Sequence, residues 1–116
     1  MSDPLRELRD SLRAFAAERD WDQFHSPRNL ATALSVEAAE LLEPFQWLTD
    51  EQSRGLPPDA RAAVEQELAD VLLYLVRLAD KLDVDLAAAA RAKIARNAEK
   101  SPVEKSRGSS RKYDTL

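Results

Sequence analysis

The chain has no cysteine, so neither a disulfide framework nor a thiolate zinc site can form. Only two glycines occur among 116 residues, while alanine and leucine are abundant, a balance that leans strongly to helix. No apolar run approaches the ~20 residues needed to cross a bilayer. The opening Met1-Ser2-Asp3-Pro4 lacks the charged and apolar regions of a signal peptide, and a soluble, cytoplasmic protein with no membrane partner is the default expectation. An excess of positive charge is missing too. Lys plus Arg number 17 against 21 Asp plus Glu, for a net charge of −4 and a pI near 5.0. Binding of a nucleic acid polymer through a broad basic face is therefore not expected. A polyanionic ligand would need a metal ion or a local basic cluster to overcome the protein's own field.

What is present is enough for one folded domain: 44% of residues are hydrophobic and 33% charged. Asp3-Pro4 signals a helix start, and Leu5, Leu8, Leu12, Phe15 and Ala16 recur at helical spacing to about Arg19. Residues 20–27 break the periodicity and read as an aromatic-rich loop. Its Trp21 and Phe24 are either core anchors under a turn or the wall of a flat ligand pocket. His25, the sole histidine, is a cap or surface group on the plainer reading and a ligand contact on the sharper one. A second helix is expected from Asn29, as cap, to about Glu43, where Pro44 ends or kinks it. Residues 44–58 read as a connector broken by Gly55, Pro57 and Pro58. A third helix is expected from Asp59 to Leu82, and a fourth, capped by Asp85, to Lys100. The segment 101–116 is read as a basic tail carrying Lys105, Arg107, Arg111 and Lys112, either solvated or folded over a phosphate site. The expectation is thus an all-α, four-helix bundle-like domain over 1–100 with that tail. From Val71 to Val76 the third helix is apolar on every face, and one small domain can hardly cover it all round, which points to an oligomer.

The acidic residues carry the chemistry. Glu37 and Glu40 are three apart, so on a helix they stand about 60° and roughly 4.5 Å from one another, close enough to share a cation. Glu37 also falls in the apolar row Leu30, Leu34, Glu37, Leu41, where an isolated charge is costly unless something neutralises it. Glu67 and Asp70 repeat the spacing thirty residues later, beside the Val71–Val76 run. Single acidic pairs of this kind are usually solvated. Two pairs against apolar sequence, with Arg28, Arg61 and Arg77 the nearest basic residues on those helices, point instead to a shared divalent ion. Oxygen-only ligation suits Mg²⁺ or Mn²⁺. A di-iron site would want a Glu-x-x-His pair on each of two helices, and the only histidine lies in a loop. Lys93 and Asn97 share a face of the fourth helix, and Tyr74 stands one turn beyond Asp70; each is a candidate nucleotide contact, with surface lysine and core tyrosine as the plain alternatives.

Glu37-x-x-Glu40 followed by Glu67-x-x-Asp70 resembles the metal motif of the MazG-like all-α nucleoside triphosphate pyrophosphohydrolases. More narrowly, Phe15-Ala16-Ala17-Glu18-Arg19-Asp20-Trp21, Phe24-His25-x-Pro27-Arg28-Asn29-Leu30, Phe45-Gln46-Trp47 and Asp70-Val71-Leu72-x-Tyr74-Leu75 resemble the dCTP pyrophosphatase branch, and the likeness runs over nearly the whole chain. The resemblance implies hydrolysis of dCTP, or modified dCTP analogues, to the monophosphate and pyrophosphate with Mg²⁺, in cleansing of the nucleotide pool. It implies that Glu37, Glu40, Glu67 and Asp70 are the metal ligands and that water attacks the α-phosphorus. Trp21 and Trp47 match aromatic residues of the pocket for base and sugar, and His25 belongs to the same motif. Tyr74, Lys93 and Asn97 match polar nucleotide contacts. A dimer, or a dimer-of-dimers tetramer, is implied for the assembly. The chain departs from the pattern at Val36, where many relatives carry a further glutamate; at Leu12, where the branch often has histidine; and at Ser101. A broader house-cleaning hydrolase and a non-catalytic nucleotide-binding helical protein are the rival readings.

Overall fold

The computed structural model describes residues 3–108 and 110, which are all-helical with no strand among them. Their contacts cluster into two units, one ending at Val84 and one beginning at Asp85. The first unit contains α1 (Pro4–Glu18), a 3-10 turn (Asp22–Phe24), α2 (Pro27–Leu42), the short α3 (Asp50–Arg54) and α4 (Pro58–Lys81). The second contains α5 (Leu86–Lys100) and α6 (Val103–Ser106). Arg111 and Lys112, the far end of the expected basic tail, lie outside the described residues. None of the described helices is long and apolar enough to cross a membrane.

The helix starts follow side-chain capping. Asp3 accepts from the Leu5 amide at 3.0 Å with Pro4 at the first helical position, and Asp85 caps α5 by accepting from Ala88 at 3.0 Å. At α2 the cap is Ser26 rather than the expected Asn29: the Ser26 hydroxyl accepts from the Asn29 amide at 3.1 Å, and Pro27 takes the first helical position. Asn29 instead donates its side-chain amide to the Phe24 carbonyl at 2.9 Å, tying the preceding loop to the helix. The connector between α2 and α4 holds a helix that the breakers concealed. Thr49 and Gln52 form a reciprocal capping box that starts α3.

The shortage of glycine shows at the helix ends. After α1, the Trp21 amide donates to the Ala16 carbonyl (2.9 Å) and the Asp20 amide to Ala17 (3.2 Å). That is a Schellman closure, with Asp20 at φ 54° in the left-handed position glycine usually takes. After α4 the pattern repeats: Val84 donates to Ala79 at 2.8 Å, Asp83 donates to Asp80 at 3.1 Å, and Asp83 sits at φ 55°. Aspartate is among the few residues that tolerate this region. The first closure turns the chain so that Trp21 meets Phe15 edge to face, ring centroids 5.6 Å apart.

In the first unit α4 packs chiefly against α2 and secondarily against α1. On α2 the inward row is Leu30, Leu34, Glu37 and Leu41; on α4 it is Val64, Glu67, Val71 and Leu78. Each row holds a glutamate, so the seam between the two helices brings carboxylates together. The fully covered apolar core is thin, consisting of Ala16, Leu30, Val76 and Ala79. The Val71–Val76 run is not covered all round within the described chain: Leu72 is 37% exposed, and Leu68 one turn before it 52%.

Candidate active site

The α2–α4 seam places one carboxylate oxygen each of Glu37, Glu67 and Asp70 within 4.8 Å of one another. Glu40, one turn along α2, lies against Glu37 rather than inside this trio. The Glu67 carboxyl within hydrogen-bond reach, then burial, holds the Glu37 carboxyl above the ordinary carboxylate range, with Asp70 adding to the effect and a contact from Glu40 opposing it. Glu40 is raised as well, first by its contact with Glu37 and that residue's charge. Oε2 of Glu37 and Oε2 of Glu67 are buried without a hydrogen-bond partner. Two orphaned acceptors beside a third carboxylate are costly in a bare protein and are what an oxygen-ligated cation satisfies. The donor set therefore fits Mg²⁺ or Mn²⁺.

Beside the cluster lies a cavity of about 180 Å³, walled by α1 (Leu12, Phe15, Ala16), the loop (Trp21, His25), Leu30 of α2, and Asp70, Leu73, Tyr74 and Arg77 of α4. It is small against the roughly 300–1,000 Å³ of a full ligand pocket, so it suits one flat part of a ligand. Its walls are aromatic and aliphatic, with polar groups at few points. Asp70 belongs to both the carboxylate cluster and the cavity wall.

Of the expected site residues, Glu37, Glu67 and Asp70 are brought together, Glu40 stands beside them, and Trp21, His25 and Tyr74 line the adjoining cavity. Trp47 is not among the lining residues and stands 86% exposed in the turn after α2. Lys93 and Asn97 are exposed on α5, in the second unit. Phe24 is an exposed residue of the 3-10 turn and neither anchors the core nor walls the cavity.

One wall residue was not singled out from sequence. Arg77 is 6% exposed, and its guanidinium donates to His25 Nδ1 at 3.2 Å, to Asp80 at 3.4 Å and to the Asp22 carboxylate. Asp22 also receives Lys81, and Asp80 receives Nε of Arg13 at 2.8 Å. These cations hold both aspartates below the ordinary carboxylate range, Lys81 acting first on Asp22 and Arg13 first on Asp80. Arg77 continues the α4 row of Asp70, Leu73 and Tyr74 by one more turn, and that spacing is the signal from which it could have been found.

Comparison with known proteins identifies the family of the chain. The model of the MazG-like family matches residues 32–116, which include all four carboxylates. DCTP pyrophosphatase 1 of Mus musculus is 49% identical over 114 residues, 97% of this chain and 67% of the mouse protein; its Homo sapiens counterpart matches at the same identity and coverage. The crystal structure of a pyrophosphatase from Archaeoglobus fulgidus superimposes with a TM-score of 0.82 at 38% identity, covering 88% of this chain and 95% of that one. By fold and sequence, the chain belongs to the MazG-like family.

Proposed function

We propose that the protein is a Mg²⁺-dependent nucleoside triphosphate pyrophosphohydrolase that cleaves dCTP, or dCTP analogues modified on the base, to the monophosphate and pyrophosphate. The observation that carries the reading is Asp70, which joins a cation-seeking carboxylate cluster to an aromatic-walled cavity sized for one ring system. A triphosphate held at the cluster would have its base within reach of that cavity. The names of the relatives at 49% identity support cytosine as the base.

Each residue set has a distinct task. Glu37, Glu67 and Asp70, with Glu40 behind them, hold the divalent ion, which when bound supplies positive charge against the phosphates and a more acidic water for attack at the α-phosphorus. Phe15 and Trp21, fixed edge to face, give the base an apolar aromatic wall. Tyr74 and His25 set polar groups in that wall, where a buried donor or acceptor discriminates between bases by what it leaves unpaired. In the second unit, Lys93 and Asn97 lie four residues apart on α5, an ammonium and an amide of the kind that binds phosphate or sugar. The purified protein with Mg²⁺ and a panel of dNTPs tests the reading. Monophosphate plus pyrophosphate is expected, with dCTP or a modified dCTP preferred. Inorganic phosphate as first product, or no turnover on any nucleotide, would sink it.

We also infer a homo-oligomer, a dimer or a dimer of dimers. The four buried apolar residues among those described make a thin core, while Leu68 and Leu72 lie one turn apart on α4 and remain exposed. Trp47, at 86% exposed, is left for cover by a partner chain or by substrate. Replacing both leucines, as Leu68→Asp with Leu72→Asp, is expected to reduce the mass in solution to the 13.0 kDa of one chain and to lower Tm. Light scattering after size exclusion reads the first effect. A wild-type protein already at one-chain mass would overturn the inference.

A further inference from the structure

Arginine is among the residues least often buried, and one at 6% exposure in the wall of a cavity needs a reason. Arg77 is held by three side chains. Asp22 and His25 come from the loop between α1 and α2, Asp80 comes from the next turn of α4, and Asp80 is itself clamped to α1 by Arg13. With Lys81 on Asp22, the network joined to the imidazole through Arg77 holds three cations and two carboxylates. A protonated His25 would add a fourth positive charge. Burial, then Arg77 and Lys81, with Asp22 opposing, hold His25 below the ordinary histidine range, so the ring is neutral near pH 7.

A neutral imidazole carries one proton, and its neighbour decides where. A guanidinium has donors only, so the 3.2 Å contact from Arg77 Nε requires Nδ1 of His25 to be the acceptor. The proton must then sit on Nε2, the ring nitrogen not engaged by Arg77. Because the rest of the guanidinium is anchored to Asp22 and Asp80, Arg77 cannot swing away to let the tautomer reverse without breaking charge-assisted bonds.

We propose that Arg77 is a positioning residue that fixes His25 as a single tautomer with its proton on Nε2, so that the cavity meets a nucleobase with one N–H donor of set direction. The base edge this suits is one offering a carbonyl oxygen or an unprotonated ring nitrogen; an exocyclic amine, itself a donor, is refused at that point. The proposal rests on the nucleotide-hydrolase reading for its ligand but not for its state of the histidine.

The chain's single histidine makes the test clean. In protein labelled with ¹⁵N-histidine, two-bond ¹H–¹⁵N spectra near pH 7.5 report which ring nitrogen is protonated. The expected wild-type pattern is an unprotonated Nδ1 and a protonated Nε2, and Arg77→Met should bring the two tautomers into exchange. A wild-type proton on Nδ1, or a mixture, overturns the proposal, and this reading needs no variant to fold. In steady-state kinetics Arg77→Met is expected to raise KM for the preferred dNTP roughly 3- to 10-fold while kcat changes less than about twofold, the effect of one misdirected hydrogen bond in binding. A variant whose tautomer is unchanged while Tm and kcat fall together would make Arg77 a structural brace only and also overturn it. Absence of turnover on every nucleotide, with the wild-type tautomer as stated, would count against the hydrolase and leave the state of His25 supported.

Discussion

Glu37→Gln is expected to cut the release of pyrophosphate by at least about a hundredfold, the scale on which metal sites fail when their support is removed, while helical content stays the same. Glu37 is the residue through which the cluster is connected: Glu67 lies within hydrogen-bond reach on one side, Glu40 on the other, and Asp70 completes the trio. Glutamine keeps the volume and loses the charge. Its amide would also donate to the Glu67 oxygen that has no partner, so the metal-free variant should melt no lower than the metal-free wild type. A catalytic loss with unchanged or raised metal-free Tm separates a ligand from a packing residue. Glu40→Gln should be as harmful to turnover, because its carboxylate lies against that of Glu37, yet it should stabilise the metal-free chain less, having no orphaned oxygen. Pyrophosphate assays, Mg²⁺ titration calorimetry and melting curves read the three effects. Activity within about threefold of wild type for Glu37→Gln would place the metal elsewhere.

Much of this site is legible from spacing, because helices convert spacing into geometry. The places of Glu37 and Glu67 in apolar rows on α2 and α4, with Asp70 one turn beyond Glu67, suffice to bring the three carboxylates to one seam. Tyr74 follows Asp70 by one turn and lines the same cavity for the same reason. What spacing does not show is competition between neighbouring caps. Asn29 is a fair cap by residue type, but Ser26 before Pro27 is better placed, since Pro27 presets the first helical residue. The α3 helix is hidden because Gly55, Pro57 and Pro58 draw attention to the connector's breaks and away from Thr49 and Gln52.

Arg77 shows a different limit. Periodicity sorts residues into apolar and polar, and a lone arginine after six apolar residues reads as the start of a solvated face. Its burial depends on Asp22, fifty-five positions away, and on Asp80, whose second partner is on α1. Such pairings are made by tertiary structure and leave only a weak trace in the helix that carries one end of them. The loop is legible in the same partial way. Its aromatic content marks it as unusual, but which aromatic lines the cavity is decided by the left-handed Asp20 that directs Trp21 onto Phe15, while Phe24 stands clear of it.

The carboxylates also give the metal-free chain a pH dependence of stability with two arms of opposite sign. Asp22 and Asp80 have folded pKa values below the ordinary 3.8, so their contribution is present above that value and is lost as pH falls through the lower, folded ones. Glu37 and Glu40 are raised above 4.5, so the folded chain binds their protons more tightly than the unfolded chain does. Stability therefore declines as pH rises from 4.5 through their folded values, while the cluster gains charge that nothing offsets. Metal-free protein should melt highest between the two windows and lower at pH 7.5. A divalent ion bound at the trio reverses the alkaline arm. At a concentration a hundred times its Kd it adds about 2.7 kcal/mol, a rise in Tm on the order of 10 °C for a domain of this size. The rise should be large at pH 7.5, shrink towards pH 4.5 as protons compete for the same oxygens, and disappear with EDTA. Glu37→Gln should flatten the alkaline arm and reduce the Mg²⁺ response together, because one carboxylate causes the first and helps bind in the second. Scanning fluorimetry across pH, with Mg²⁺ or EDTA, measures all of this in one series. A Mg²⁺ response of equal size at pH 4.5 and 7.5 would mean that the ion binds somewhere other than these protonatable oxygens.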